Sequence, residues 1–508
     1  MTTVTENPGG DLTESRAKKP WVLIGGGVAA AALIGGGAFA ATTMLGGGGD
    51  RPASVLPGGA AFYAQVDLDP GAGQKISAVR FFQGLDPELR EQFDQGQWRE
   101  WAWEQLSEEF DGAEDIDFAT DIEPWLGDRA GIAVLPQDEG EEPVVAGALQ
   151  VQDGEAALAF FDERTEADDD MAYWLESDYV LFTEQDTEAM VRSAIEAGTL
   201  ADNDTFGSDM DDLGEQGVMA LWADASVLDD LAVAGANPAL GLTADAADTE
   251  MPEVTGRTAM TVRLTPDAIE LHGIARGVEG VALPENSSTD PLVTELPADT
   301  AVAISMENGA AMIESAWDHF STQNPEEIQE ITAEAAAEGF TLPDDLMAVL
   351  GDSMALSAGP GLIDAFTNIN PTDSAMPALP IGYRAATDTA RLQDMLNEFG
   401  LGAGVTAMSE DDGVLTLGVD QAYVDALAAG DGDTLGDSDL FSAAVADAAN
   451  AQMVMFVNVN PFEQYYLPEV TDATTRSALE QLGAIGISGT NESSSEGHFT
   501  VRFVADPE

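Results

Sequence analysis

The sequence predicts an α+β protein in which two tandem copies of a mainly antiparallel sheet-plus-helices module follow a single N-terminal transmembrane helix. Three observations lead to this fold class. Residues 21–45 are apolar and uncharged, the same Leu-Pro strand motif occurs at Leu56 and at Leu296, and each copy closes with two hairpin-like strands. Helices placed between hairpin-forming strands are typical of an α+β fold and not of a doubly wound parallel sheet.

The N-terminal segment predicts a membrane anchor. At about 1.5 Å per residue, residues 21–45 are long enough to cross a bilayer core as one helix. The first charge after this segment is Asp50, whereas three basic residues lie just before it: Arg16, Lys18 and Lys19. By the positive-inside rule, residues 1–20 form a cytoplasmic tail and the C-terminal body is extracytoplasmic. This pattern predicts a single-pass protein of the cell membrane.

A cleaved signal peptide is the alternative to a retained anchor. Ala38-Phe39-Ala40 has the small-x-small form of a cleavage site after an apolar stretch, and cleavage would follow Ala40. The apolar run continues through Met44 and Leu45, which favours retention. Both interpretations place the body outside the cytoplasm.

Composition excludes several classes of protein. The 508 residues include 18 Lys and Arg against 93 Asp and Glu, a net charge of −75, and no cysteine. Such a charge repels nucleic acid, so no nucleic-acid partner is expected. Disulfides, thiolate metal sites and cysteine nucleophiles are absent. Three explanations of the acidity stay open: compositional bias such as adaptation to salt, loose attraction of divalent cations or basic partners, and a charged binding face.

The best internal signal is a repeat of one strand-and-helix order. Each copy starts with a strand whose apolar residues alternate, which is typical of one buried face. Three positions correspond in these strands: Phe62, Ala64 and Val66 match Val302, Ile304 and Met306. Asp86-Pro87-Glu88 and Asn324-Pro325-Glu326 then predict helix starts with a capping side chain and an N1 proline.

The later part of each copy follows the same order. Leu126-Gly127-Asp128 matches Leu350-Gly351-Asp352, and from Gly147 and Gly382 onward the two segments align without a gap. The predicted boundaries follow from these matches and from composition. They are a glycine-rich linker at 46–54, a first repeat at 55–281, a linker at 282–291 and a second repeat at 292–508.

The anchor, the glycine-rich linker and the opening motif of the first repeat together resemble a known family. The motif runs from Leu56 to Pro70 and reads Leu-Pro-x4-Phe-Tyr-Ala-x-Val-Asp-Leu-Asp-Pro. It is similar to that of a family of actinobacterial membrane proteins known as domain of unknown function 3352, and the likeness extends over nearly the whole chain. The resemblance implies an actinobacterial, membrane-anchored, extracytoplasmic protein, and it supplies no catalytic residues.

Histidines and acidic loops predict no metal site. The three histidines, His272, His319 and His498, lack the spacing of zinc ligands and are expected singly on solvated faces. Two acidic loops resemble calcium loops, at 202–207 and 431–436, but neither has a glutamate at its twelfth position. The acids of these loops are therefore expected to cap helices and turns. No Gly-x-Ser-x-Gly motif indicates a serine hydrolase.

Three tryptophans are the candidates for a ligand groove. Trp98 and Trp101 share a helix face with Phe93, whereas Trp103 points elsewhere, and the second copy has no counterpart. Core packing, including packing of one copy against the other, is one interpretation. A groove for an apolar ligand or partner is the other.

The absence of assembled chemistry predicts a non-enzymatic binding or scaffold protein of the cell envelope, without catalytic residues, cofactor or metal. The alternative is a carrier or chaperone for an apolar envelope ligand such as a lipid. A hydrolase with scattered carboxylates is the third possibility. The expected partners are the membrane, through residues 21–45, and an envelope protein or lipid. The oligomeric state stays open.

Overall fold

The structure is a computed structural model. It describes residues 51–69, 71, 73–74, 77, 99–100, 103, 116–137, 142–164, 171–225, 256–277, 291–367, 378–398, 407–429, 433–471, 473–493 and 495–506. The predicted anchor at 21–45, together with Trp98 and Trp101, lies outside these residues. Within them, no helix has the length and apolar character needed to cross a bilayer.

The first half of the described chain contains eight strands. They are β1 (Phe62–Asp67), β2 (Leu126–Leu135), β3 (Val144–Val151), β4 (Met171–Glu176), β5 (Tyr179–Glu184), β6 (Met219–Asp224), β7 (Arg257–Leu264) and β8 (Ala268–Arg276). Its helices are α1 (Gly154–Arg164), α2 (Glu188–Ala197) and α3 (Asp204–Asp212), preceded by a short π-helical segment, Phe118–Ile122. Asn203 begins α3, since its side chain accepts hydrogen bonds from the backbone N–H groups of Thr205 and Phe206.

The second half contains eight further strands. They are β9 (Val302–Glu307), β10 (Ser353–Ala358), β11 (Ile381–Ala386), β12 (Ala407–Asp411), β13 (Val414–Gly418), β14 (Met453–Asn458), β15 (Leu482–Ser493) and β16 (Glu496–Ala505). Its helices are α4 (Gly309–Gln323), α5 (Pro325–Ala337), α6 (Asp344–Leu350), α7 (Leu362–Thr367), α8 (Thr389–Glu398), α9 (Gln421–Ala429), α10 (Asp439–Ala444), α11 (Glu463–Tyr466) and α12 (Ala473–Leu479).

All sixteen strands form one sheet, and each neighbouring pair is antiparallel. The order is β12-β13-β11-β10-β9-β14-β15-β16-β8-β7-β6-β1-β2-β3-β5-β4. Read outward from the centre, the eight strands of each half follow the same sequence of positions. The halves meet where β8 pairs with β16, and we call this pairing the seam. The predicted mixture of helices with a large antiparallel sheet is confirmed.

One row of directly paired residues crosses the whole sheet, and every member is apolar. From β12 to β4 the row is Met408, Leu417, Tyr383, Leu356, Ile304, Met455, Ile487, Val501, Leu271, Val262, Met219, Val66, Ala130, Leu149, Val180 and Leu175. Directly paired residues point to the same side of a sheet. We call this side the Val66 face.

The opposite side, which carries Tyr63 and Ala303, is the Tyr63 face. In each half it is closed by an apolar core in which sheet residues pack against helices and short 3-10 segments. Tyr63 lies edge-on to Phe206, at 5.1 Å between ring centroids, and Phe441 contacts Phe456 in a similar way at 5.2 Å. The Tyr63 face is therefore a conventional core in both halves.

The alignment of Gly147 with Gly382 is wrong by one residue, whereas Val180 and Leu415, which the same alignment matches, do share the Val66 face. Gly147 of β3 pairs with Ile132 of β2 and Phe182 of β5. Ile132 in turn pairs with Ala64 of β1, which is on the same side as Val66, so Gly147 belongs to the Val66 face. Gly382 pairs with Ser357, whose other partner is Ala303, on the Tyr63 face. A shift of one residue moves a side chain to the other face of a strand, so β3 and β11 differ in register.

Candidate functional site

In the first half, a cluster of aromatic side chains covers part of the Val66 face, whereas Val145 and Leu175 on the same face are exposed. Trp125 and two phenylalanines of α1, Phe160 and Phe161, lie with ring centroids 5.2–5.9 Å apart. Phe118 and Ile122, from the π-helical segment, complete the layer over the apolar row. Trp125 is held in position because its indole N–H donates to the backbone carbonyl of Asp121 at 2.6 Å. The cluster buries Val66, Leu149, Val180 and Met219.

In the second half, the corresponding cover is smaller. By the alignment of Leu126 with Leu350, Trp125 corresponds to Val349 and Ile122 to Leu346. Val349 packs with Tyr383, Leu392, Leu396, Leu415 and Leu417 near β11 and β13. Ile122 is 5% exposed whereas Leu346 is 42% exposed. The second half therefore covers this face near β11 and β13 and leaves exposed side chains on the Val66 face of β9, β10 and β14: Ile304, Leu356, Met453 and Met455.

The uncovered residues form a patch that we call the open face. Its five most exposed members lie on β9, β10, β14 and β16: Ile304, Leu356, Met453, Met455 and Phe503. Ile304 pairs directly with Leu356 and with Met455, so these three side chains are contiguous. Helices α4 and α5, which follow β9, carry two more exposed apolar side chains, Phe320 and Ile331. Contiguous apolar surface of this kind marks a site of interaction with a ligand, a partner or a membrane.

The seam carries charge on its Tyr63 face. Asp209 of α3, which is 2% exposed, accepts hydrogen bonds from Arg257 Nε at 2.8 Å, Arg276 Nη1 at 3.0 Å and Trp222 Nε1 at 2.9 Å. Arg276 also pairs with Asp212 and, across the seam, donates from Nε and Nη2 to Glu496 Oε1 at 2.9 and 2.6 Å. These contacts join the first half to the second through a partly buried ionic network centred on Asp209.

A second network crosses the seam at Glu270. Its carboxylate accepts from Arg263 at 2.8 Å on its own half and from Arg502 at 2.7 Å on the other. Burial alone would raise the pKa of Glu270, but the hydrogen bond from Arg502 and the charge of Arg263 outweigh burial and lower it. The pKa of Asp209 is lowered in the same way, since hydrogen bonds from Arg257, Trp222 and Arg276 outweigh its burial. Both carboxylates are thus ionised at neutral pH and unsuited to act as general acids.

A cavity of about 440 Å³ lies in the first half between β4 and α2. Its lining combines the ring of Trp174 with the side chains of Arg192, Glu176 and Glu196. The guanidinium carbon of Arg192 lies 4.0 Å from the centre of the Trp174 ring, and its Nε donates to Glu188 at 2.7 Å. Arg192 therefore occupies the face of the Trp174 ring, where a cationic ligand would otherwise bind, and Glu188 balances the charge of Arg192.

The histidine and acidic-loop predictions have different outcomes. His272 and His498 are partly buried and stack on each other at the seam with centroids 6.0 Å apart, so the prediction of single histidines on solvated faces is wrong for these two. In the loop at 202–207, Asp202 accepts hydrogen bonds from Thr199 and Asn203 caps α3. The prediction that these two side chains cap turns and helices is confirmed.

Of the three tryptophans predicted to line a groove, the structure describes only Trp103. This side chain is partly buried and packs against the aromatic cluster of the first half. The groove itself stays a prediction. The open face of the second half had no signal in the sequence, because its residues have the same alternating apolar pattern as covered strands.

Comparison with known proteins identifies one part of the chain. No curated protein and no solved structure matches it. A family model described as "Protein of unknown function (DUF3352)" matches residues 21–176, a span that ends with β4. The actinobacterial origin implied by the resemblance stays a prediction. This match spans 156 of the 508 residues, less than the nearly whole-chain likeness expected from the sequence, and over residues 21–176 the chain is similar to the family of domain of unknown function 3352.

Proposed function

We propose that this chain is a non-enzymatic, membrane-anchored binding protein of the cell envelope, and that its second half binds an apolar ligand on the open face. The observation that carries this proposal is the exposure of Ile304, Leu356 and Met455 as direct neighbours on one side of the sheet. The corresponding surface of the first half is covered by its own aromatic cluster. A hydrocarbon ligand on the open face would supply the layer that Trp125, Phe160 and Phe161 supply in the first half.

The chemistry of the open face suits a flexible apolar ligand such as a lipid chain. Met453 and Met455 lie on the same side of β14, and Met306 of β9 is directly paired with Met453. Methionine is unbranched and polarisable, so it adapts its shape to ligands better than Val or Ile. Burying each large apolar side chain that is now exposed would contribute roughly 1 kcal/mol or more, since full burial is worth about 1.5–3 kcal/mol.

The anchor and the repeat belong to the same proposal. Residues 21–45 would hold the body at the outer surface of the membrane, next to a source of apolar molecules. The two halves would be copies of one duplicated module, which their identical strand order supports. One copy would then keep its own aromatic cover, and the other would take a ligand in that place.

The test combines native extraction with charged substitutions on the open face. The full-length chain would be extracted from its native membranes and analysed by mass spectrometry, and its binding of a neutral pyrene-labelled long-chain alcohol would be titrated. Met453→Glu/Met455→Glu should abolish both the co-purifying lipid and the binding of the probe, because a carboxylate disfavours contact with hydrocarbon. Met190→Glu on α2 is the matched control, since Met190 is also exposed but lies away from the open face.

Three results would decide the proposal. Loss of lipid and probe binding in the double variant, with the control unchanged, would support it. Equal binding by the double variant, or no bound lipid and no probe binding in the parent chain, would overturn the proposed ligand. A co-purifying protein that only the double variant loses would also overturn it and would favour a scaffold in its place.

A further inference from the structure

The hairpin of β15 and β16 brings three side chains with metal-ligating atoms together at the seam. They are Glu492, Glu496 and His498, and one oxygen or nitrogen atom from each lies within 4.8 Å of the other two. Within the described residues, this is the one group of three or more His, Asp or Glu side chains with such geometry. It is independent of the open face, which lies on the other side of the sheet.

The pairing of β15 with β16 produces this group. His498 pairs with Thr490, and Glu496 pairs with Ser493 across the turn. The register shifts between Asn491 and Ser493, so Glu492 is an extra residue in β15. Glu492 lies two residues beyond Thr490, the partner of His498, so strand alternation places it on the same face as His498. Glu496 and His498 lie two residues apart on β16 and therefore share a face.

The distances fit a small divalent cation. Zinc ligands lie about 2.0–2.2 Å from the metal in a tetrahedron, which places two ligand atoms about 3.4 Å apart. His498 Nε2 lies 3.5 Å from Glu492 Oε1, close to that spacing. The ligand atom of Glu496 lies within 4.8 Å of those of Glu492 and His498. A small side-chain movement would therefore bring it to the spacing of zinc ligands.

The Nε2 atom of His498 supplies a second observation that points to a ligand. It has almost no contact with solvent, and it makes no hydrogen bond with any atom of the described residues. The 3.5 Å approach to Glu492 is close enough for an ionic contact but does not have hydrogen-bond geometry. The His498 side chain is 21% exposed, but its Nε2 atom is buried, and a buried ring nitrogen that makes no hydrogen bond is costly, so a metal ion would satisfy it.

The surroundings of the group match those of protein metal sites. Arg276 donates two hydrogen bonds to Glu496, from Nε and Nη2, and both are accepted by Oε1. These bonds orient the carboxylate and leave Oε2 available for a cation. Carboxylate ligands of metals are commonly fixed by such outer contacts. Asp209, Asp212 and Glu496 pair with the two cations Arg257 and Arg276, and Glu492 adds a fourth carboxylate beside Glu496, so the local charge favours an added cation.

We propose that Glu492, Glu496 and His498 bind one zinc ion at the seam, with a water molecule at the fourth position. The mixed nitrogen and oxygen ligands select zinc over calcium and magnesium, which prefer oxygen ligands alone. Because Arg276 of β8 holds Glu496 of β16, the ion would reinforce the junction between the two halves.

The experiment is a zinc titration of the full-length chain in detergent with calcium in large excess, which occupies nonspecific sites on the acidic surface. One zinc ion per chain should bind. His498→Gln and Glu492→Gln should each weaken binding at least about tenfold, since even the loss of an outer-shell partner costs about 10–100-fold. His319→Gln on α4 is the matched control, since it removes a histidine that contacts Gln323 and lies outside the group.

X-ray absorption at the zinc edge gives a second readout that does not depend on affinity. The parent chain should show one imidazole in the zinc shell, and His498→Gln should remove it while circular dichroism shows the same folded content. Zinc held by oxygen ligands alone, or binding that is equal in the parent, His498→Gln and Glu492→Gln chains, would overturn the site.

Discussion

Met219 in the first half and Met453 in the second occupy corresponding positions in the sheet but differ in exposure. Each is the first residue of its strand, β6 or β14, and each pairs with the central strand of its half, at Val66 or at Met306. Met219 is 6% exposed whereas Met453 is 47% exposed. The same residue in the same place in the strand order is buried in one half and open in the other.

The difference lies in the cover and not in the sheet. Trp125, Phe160 and Phe161 pack over the first half, whereas the aligned residues of the second half are Val349, Met395 and Leu396. Aromatic side chains bury about 150–250 Å² each, so their replacement by smaller residues leaves strand residues uncovered. The same strand order is thus covered by the chain's own aromatic side chains in one half and leaves apolar strand residues exposed in the other.

Loss of the aromatic cover should produce the largest effect. Trp125→Ala is expected to destabilise the first half by about 3–5 kcal/mol, since it removes a buried ring and its hydrogen bond to Asp121. Val349→Ala, at the aligned position, removes far less buried surface and should cost less. Native-state hydrogen exchange, read separately for each half, measures both. Equal destabilisation by Trp125→Ala and Val349→Ala would contradict the inference that the first half depends more on its cover.

The methionine pair gives the next largest difference. Met219→Ala should cost about 2–5 kcal/mol because it empties a buried site, whereas Met453→Ala should change stability by less than about 0.5 kcal/mol. Hydrogen exchange of β6 and β14 in the two variants checks this. A large loss at Met453 would mean that the open face is covered in solution.

A smaller difference concerns pH. On the Tyr63 face, Asp209 aligns with Ala444, so an ionised side chain in the first half stands where the second half has an apolar one. Hydrogen bonds from arginine and tryptophan outweigh burial and hold the pKa of Asp209 below its ordinary value. The carboxylate therefore stabilises the fold fully above the ordinary value of about 3.9. That contribution is lost as the pH falls through this value toward the lower folded pKa.

We expect Asp209→Asn to flatten the acid side of the stability profile. The measurement is the difference in urea midpoint between the parent and variant chains from pH 7 to pH 3. The two chains should differ most at pH 7 and converge at low pH. A constant difference at all pH values would show that Asp209 contributes through packing alone.

The smallest effect should be the same in both halves. Thr199 and Thr434 occupy matching turns, in which the carboxylates of Asp202 and Asp437 accept from the threonine N–H and hydroxyl at 2.9–3.1 Å. Thr199→Ala and Thr434→Ala should lower the stability of their own halves by similar small amounts. Hydrogen exchange of the two turns measures this, and a marked inequality would show that the turns differ in more than sequence.

Local patterns made the strands and the antiparallel class predictable. Alternating apolar residues mark β1 and β9, and a Leu-Gly-Asp motif marks the first residues of β2 and the residues just before β10. The shift between Gly147 and Gly382 was not predictable, because one residue changes the face of a strand without changing its apolar character.

Long-range contacts explain what the sequence could not predict. The stacking of His272 on His498 requires β8 and β16 to pair over a separation of more than two hundred residues. Glu492 meets His498 and Glu496 only in the register in which β15 pairs with β16, and the irregularity between Asn491 and Ser493 in that register has no reliable sequence pattern. The open face depends on which side chains lie above the sheet. Met219 and Met453 are both methionine, so residue type alone could not predict that one is buried and the other exposed.

The seam has a consequence for how the protein assembles. Each half offers its last strand to the last strand of the other, antiparallel, which is the geometry of an isologous two-fold dimer. On separate chains this pairing would depend on protein concentration. Within one chain the pairing is intramolecular and does not depend on protein concentration. The sixteen-stranded sheet can therefore form at any dilution, and it uses up two strand edges that would otherwise recruit other molecules.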